Sequence, residues 1–112
     1  METFRKRDIV IFPFPYTDLT NSKLRPCLVL SQEMRQDIIL CQITSKNIKP
    51  DKFSIELKDK DTKEGSLKID SNIRTNMLFT ANKNQVIKKI CNIDKKKYSQ
   101  VTKKIRKIIE QN

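Results

Sequence analysis

Short apolar runs, broken by polar or proline-containing stretches, fill most of this chain, and only its last segment carries a helical period. Runs of that length suit strands and are too short for stable helices. Asp8 to Phe12 reads as a strand that Pro13 and Pro15 should stop, because proline has no N–H to give a ladder. Residues 16–24 are polar and turn-like, with Asp18, Asn21 and Ser22. Two strands at 25–31 and 37–43 follow, joined by a hairpin loop from Gln32 to Gln36. Beyond a loop with Pro50, Phe53-Ser54-Ile55-Glu56-Leu57 alternates with period two. A charged turn at 58–63 should end at Gly65, the only glycine, with a positive φ. Further strands are expected at 66–70, 74–80 and 85–91.

Asp94 then offers an N-cap, and Tyr98, Val101, Ile105, Ile108 and Ile109 recur at helical spacing. This predicts an amphipathic helix of about four turns, packed by its apolar stripe on the sheet. Lys95, Lys96, Lys97, Lys103, Lys104 and Lys107 would occupy its solvated side. Many short strands closed by one helix imply a mainly β fold of α+β character, a small and strongly bent barrel. At 112 residues, one domain over 1–112 is expected.

Two of the runs carry polar groups where they matter. Arg25 opens Leu24-Arg25-Pro26-Cys27-Leu28-Val29-Leu30-Ser31, and Thr44 with Ser45 closes Asp37-Ile38-Ile39-Leu40-Cys41-Gln42-Ile43-Thr44-Ser45. Paired antiparallel, these strands bring Arg25 and Thr44 to one edge of the sheet. An arginine beside a hydroxyl suits a phosphate.

Composition narrows the partners. The net charge is +11, and residues 88–112 hold nine Lys/Arg against Asp94 and Glu110. Such a chain attracts polyanions, either nucleic acid or an acidic protein. Eighteen of the 24 basic residues are lysines, which an AT-rich genome would also place on solvated faces. Charge by itself leaves both readings open. No apolar stretch is long enough to span a membrane, and the basic start Met1 to Arg7 lacks a cleavage site, so a cytoplasmic protein is expected. Cys27, Cys41 and Cys91 show no Cys-x-x-Cys spacing and read as reduced core thiols. Histidine is absent, which removes the commonest metal ligand and the commonest general base together; no metal or cofactor is expected.

Four segments in order then carry a resemblance. They are Arg7-Asp8-Ile9-Val10-Ile11-Phe12-Pro13-Phe14-Pro15, the Arg25-Pro26 strand, Gln42-Ile43-Thr44-Ser45, and Ile73-Arg74-Thr75-Asn76-Met77-Leu78-Phe79-Thr80. Over nearly its whole length the chain resembles the MazF/PemK family, toxin endoribonucleases of bacterial type II toxin–antitoxin pairs. The resemblance implies an SH3-like barrel of the MazF, Kid and CcdB type with a C-terminal helix. It also implies a metal-independent, sequence-selective mRNA interferase that cuts single-stranded RNA through attack of the 2′-hydroxyl. A homodimer and an acidic cognate antitoxin follow as partners. The alternative on the same fold is a non-catalytic toxin that binds a target such as DNA gyrase.

Cutting RNA without metal requires removal of the 2′ proton, stabilisation of the pentacoordinate phosphorus and protonation of the leaving 5′ oxygen. Arg25 fits the second role, with a permanently charged planar fork of donors. By resemblance Arg25 and Thr44 are the catalytic pair, with Thr44 positioning rather than abstracting a proton. Arg74 would contact a phosphate. Asn76 stands where relatives sometimes carry an aspartate, and it can bind RNA but cannot carry a proton. Asp18, Ser45 and Lys46 lie in or beside loops expected to flank the groove, Asp18 as either a proton carrier or a turn former. Tyr16 offers a stacking surface, Phe14 serves either structural packing or stacking, and Phe12 and Phe53 read as core. Arg7 replaces the family's glycine and adds either a phosphate contact or nothing.

Overall fold

The structure, a computed structural model, describes residues 2–15, 22–45 and 49–111. Seven strands and one helix follow in order: β1 (Asp8–Pro15), β2 (Ser22–Val29), β3 (Asp37–Ser45), β4 (Ser54–Leu57), β5 (Thr62–Lys63), β6 (Ser71–Asn82), β7 (Lys88–Ile93) and α1 (Lys95–Glu110). All pair antiparallel in one sheet of order β4-β6-β3-β2-β1-β7-β5. The result is a half-barrel with a C-terminal helix, as the pattern of short apolar runs implied.

Alternation sorts the strands' side chains onto two faces. Ile9, Leu28, Cys41, Ile43, Ile73 and Ile93 are buried on one face, against Val101 and Ile105 of α1. Val10, Cys27, Val29, Ile38, Leu40 and Ala81 are buried on the other, with Phe4. Phe12, Phe14 and Phe79 pack at the margin of this second cluster. Their centroids lie 5.6 Å (Phe12–Phe14), 5.3 Å (Phe12–Phe79) and 5.5 Å (Phe14–Phe79) apart. Since β2 and β3 separate β1 from β6, a flat sheet would hold their backbones about 14 Å apart. Ring contact across that interval requires the sheet to curl toward this face.

The helix starts where the sequence placed it: the Asp94 carboxylate accepts from the Lys97 N–H at 2.7 Å. Tyr98 donates its hydroxyl to the Leu30 carbonyl at 2.6 Å, tying the helix to the sheet. Ile109, expected in the apolar stripe, is instead 71% exposed.

Three strand expectations need correction. The first strand does not stop at Pro13. The Ile11 carbonyl faces β7's side, accepting from the Ile87 N–H at 2.9 Å. Pro13 and Pro15 turn their nitrogens to that same side, past the last β1–β7 pair, Ile11 with Lys88. The lost donors therefore cost β1 nothing in its pairing with β2, which runs to Pro15 opposite Ser22. Residues 66–70 are irregular rather than a strand, and Thr62–Lys63 pairs with β7 in their place. The last strand begins at Lys88, since a 3-10 turn at Lys83–Gln85 comes first, capped by the Asn82 side chain.

Arg7, Arg35, Glu64, Gly65 and Lys68 hold positive φ, and two of them bear on the fold. Arg7 has φ 81°, a conformation that glycine adopts without strain, which accounts for glycine in the resembling sequences. Its N–H donates to the Val29 carbonyl at 3.0 Å and its carbonyl accepts from the Ile93 N–H at 2.8 Å, so backbone pairing holds it there. Gly65 has φ 139°, and a Cβ there would collide with the Ile90 carbonyl oxygen. We therefore expect Gly65→Ala to cost about 1–3 kcal/mol, read as a lower denaturant midpoint with an unchanged slope.

Candidate functional site

Proline chemistry creates a gap in the sheet. The Leu30 N–H donates to the Ile39 carbonyl at 2.9 Å, so the even-numbered residues of β2 face β3. Pro26 is the residue at that parity with no N–H to offer. The β2–β3 pairing accordingly covers only Cys27–Val29 opposite Leu40–Gln42. Both strands continue, β2 along β1 to Ser22 and β3 along β6 to Ser45. They diverge as two lips of a cleft. Carried two residues further, the β2–β3 register would set Arg25 against Thr44.

Arg25 pairs with Phe12, and Thr44 with Asn72, so both side chains belong to the face of the aromatic trio. Arg74 lies two residues beyond Asn72 in regular pairing with β4, on the same side. The structure thus gathers Arg25, Thr44 and Arg74 on one face around the cleft. Ser45 ends β3 exposed, and Asn76 is exposed in β6. Tyr16, Asp18 and Lys46 lie outside the described residues. Arg7 sits at the opposite end of β1 from the cleft, and Lys95 and Lys96 begin a helix that packs on the other face.

Around Arg74 the sheet is irregular. Between the pairs Cys41–Leu78 and Ile43–Ile73, β3 advances two residues while β6 spans five. The extra length bulges out with Arg74, Thr75 and Asn76 in it. Thr75 anchors the bulge, buried and donating its hydroxyl to the Phe53 carbonyl at 2.5 Å. The Cys41 thiol donates to the Arg74 carbonyl at 3.0 Å. The Arg74 guanidinium meets the Asp51 carboxylate at 3.0 Å. Asp51 and Asn72 escaped the sequence reading. Asp51 stands in a loop with no motif of its own, and only the long-range β3–β6 register puts Asn72 across from Thr44.

Three polar atoms stand out electrostatically. Arg25 Nε, Thr44 Oγ1 and Arg74 Nε are buried and have no hydrogen-bond partner among the described residues. Each such group costs about 1–3 kcal/mol against a solvated or bonded state. All three belong to residues that the sequence singles out. The thiols nearby are inert: burial pushes Cys27 and Cys41 up to about 12, so neither is a thiolate at neutral pH. Among the described residues, no group of three or more His, Cys, Asp or Glu is placed to hold a metal ion. No helix among them is long and apolar enough to cross a membrane.

Comparison with known proteins agrees with this fold. The sequence profile of the family described as PemK-like, MazF-like toxin of type II toxin-antitoxin system matches residues 5–109. Among solved structures, a MazE–MazF complex from Deinococcus radiodurans superimposes with a TM-score of 0.79 at 14% identity, covering 99% of this chain and 100% of the other. MazF alone from the same organism gives 0.73 at 16%, covering 97% and 98%. An endoribonuclease in complex with its cognate antitoxin, from a mycobacterial species, gives 0.74 at 8%, covering 96% and 95%. Identities this low show a shared fold. No curated protein sequence matches the chain at a significant level.

The Phe53 N–H, and then the Arg74 guanidinium, hold the Asp51 carboxyl below its ordinary range. Its folded pKa is thus lower than its unfolded value, about 4. The stabilising contribution is complete above that value and disappears as pH falls through the folded one. The difference in unfolding midpoint between wild type and Asp51→Asn should therefore be largest near neutrality and shrink below about pH 4. A difference independent of pH would mean that the carboxylate charge is not what holds Arg74.

Proposed function

The chain belongs to the PemK-like, MazF-like toxins of type II toxin–antitoxin systems, and from that premise we propose that it is a metal-independent, sequence-selective endoribonuclease acting on single-stranded RNA. The observation that carries this reading is the trio of buried atoms on Arg25, Thr44 and Arg74 that have no partner among the described residues. Two arginine N–H donors and a hydroxyl on one face match a phosphodiester, which offers acceptor oxygens and a neighbouring 2′-hydroxyl. A gyrase-binding toxin has no need of such a set.

In the proposed reaction the 2′ oxygen attacks phosphorus, the bond to the 5′ oxygen breaks, and 2′,3′-cyclic phosphate and 5′-hydroxyl ends result. Arg25 stabilises the charge that grows on the equatorial oxygens. Thr44 fixes the attacking group in line, and Arg74 holds an adjoining phosphate. Proton transfer falls to groups other than histidine, which the chain lacks. The Asp51 carboxylate beside Arg74 is held below its ordinary pKa, which keeps it ionised and makes it a poor base, so its part is to orient Arg74 rather than to take a proton. Ser45 and Asn76, with Tyr16, Asp18 and Lys46, would contact the flanking nucleotides.

The antitoxin belongs to the same reading. An acidic segment would lie along the cleft, its carboxylates meeting the arginines that otherwise bind phosphate. The structurally similar toxins bound to antitoxin support this partner. A homodimer is proposed as the working form, to be checked by analytical ultracentrifugation.

Incubation with a long mixed-sequence RNA in EDTA tests the activity. Wild type should leave discrete cuts with cyclic phosphate ends. Arg25→Ala should lose at least about 10²-fold in rate, and Thr44→Val should lose rate while keeping its stability. Intact RNA with folded, antitoxin-free wild type would favour the non-catalytic alternative.

A further inference from the structure

The two cleft arginines are held by different means. Arg74 leans on a carboxylate, at 3.0 Å from Asp51. Arg25 has no carboxylate at that range among the described residues, and its Nε is buried without an acceptor. Among the described residues its guanidinium meets an aromatic ring: Cζ lies 5.7 Å from the centroid of Phe14. Phe14 is itself clamped edge-on, with an interplanar angle of 70° to Phe12 and 70° to Phe79. Those rings come from β1 and β6, so the clamp spans the strands on either side of the cleft.

The choice of partner has a chemical consequence. A carboxylate orients an arginine but also neutralises it, and it competes with any incoming phosphate. A ring face attracts the cation through its quadrupole and leaves the full charge and the terminal N–H groups free. An arginine meant to stabilise a transition state is better held by a ring than by an acid. We propose that Phe14 is a positioning residue for Arg25: its ring, locked by Phe12 and Phe79, aims the guanidinium across the cleft. This rests on the reading of Arg25 as the phosphate-binding group.

The test compares wild type, Phe14→Leu, Phe14→Tyr and Arg25→Ala on one short RNA containing a mapped cut site. Single-turnover rate and KM are measured, and the Arg25 side-chain N–H is followed by NMR. Phe14→Leu should lower the rate about tenfold with KM changed by less than about twofold, and should erase the ring-current shift at Arg25. Phe14→Tyr, which keeps the π face, should restore both. A wild-type rate in Phe14→Leu beside an inactive Arg25→Ala would overturn the proposal. So would an equal loss in the leucine and tyrosine variants, which would mark mere packing, or a change in KM alone, which would mark a stacking contact with RNA. Cleavage by Arg25→Ala at the wild-type rate would instead sink the functional reading on which the proposal stands.

Discussion

One missing hydrogen-bond donor organises this molecule. At Pro26 the strand presents a carbonyl and no N–H toward its neighbour, and the ladder between β2 and β3 ends there. Each strand keeps its outer partner, so the sheet parts locally without losing its order. The residue before the proline and the hydroxyl that would have faced it become the lips of a cleft. Had residue 26 carried an N–H, the same register would have zipped Arg25 against Thr44 and filled the space between them.

The two faces of the sheet are packed differently. The helix side is dry and regular, and burying Val101 and Ile105 there contributes about 1.5–3 kcal/mol for each side chain. The other face is packed at one end by Val10, Val29, Ile38 and Leu40, and at the cleft end it carries buried polar atoms that have no partner among the described residues. Unsatisfied groups of that kind survive only where the remaining fold over-determines the structure. Here the long β3–β6 pairing and the capped helix supply that excess.

Much of this was legible in the linear sequence, for identifiable reasons. The helix announced itself through Asp94 and its apolar spacing, and the shared face of Arg25 and Thr44 through their places at the ends of two apolar runs. Local rules failed where a residue's effect depends on which neighbour lies on which side. Pro13 reads as a stop until it is known that β7 no longer pairs there. Asp51 reads as one more loop acid until β4 and β6 bring it to Arg74. Ser66 to Asp70 alternates well enough for a strand, yet Thr62 and Lys63 took the available edge of β7. Arg7 was noticeable as a departure from glycine, and its φ gives the reason.

The surplus residues of β6 opposite Gln42 carry a longer implication. Side chains alternate along a strand, so the number of residues looped out there decides which of them look into the cleft. Gain or loss of a single codon in this stretch would exchange the inward set for its outward neighbours, while the pairs at Ile73 and Leu78 still closed on β3. Such a segment works as a vernier. What the cleft presents can thus be retuned through length as well as composition on an unaltered scaffold.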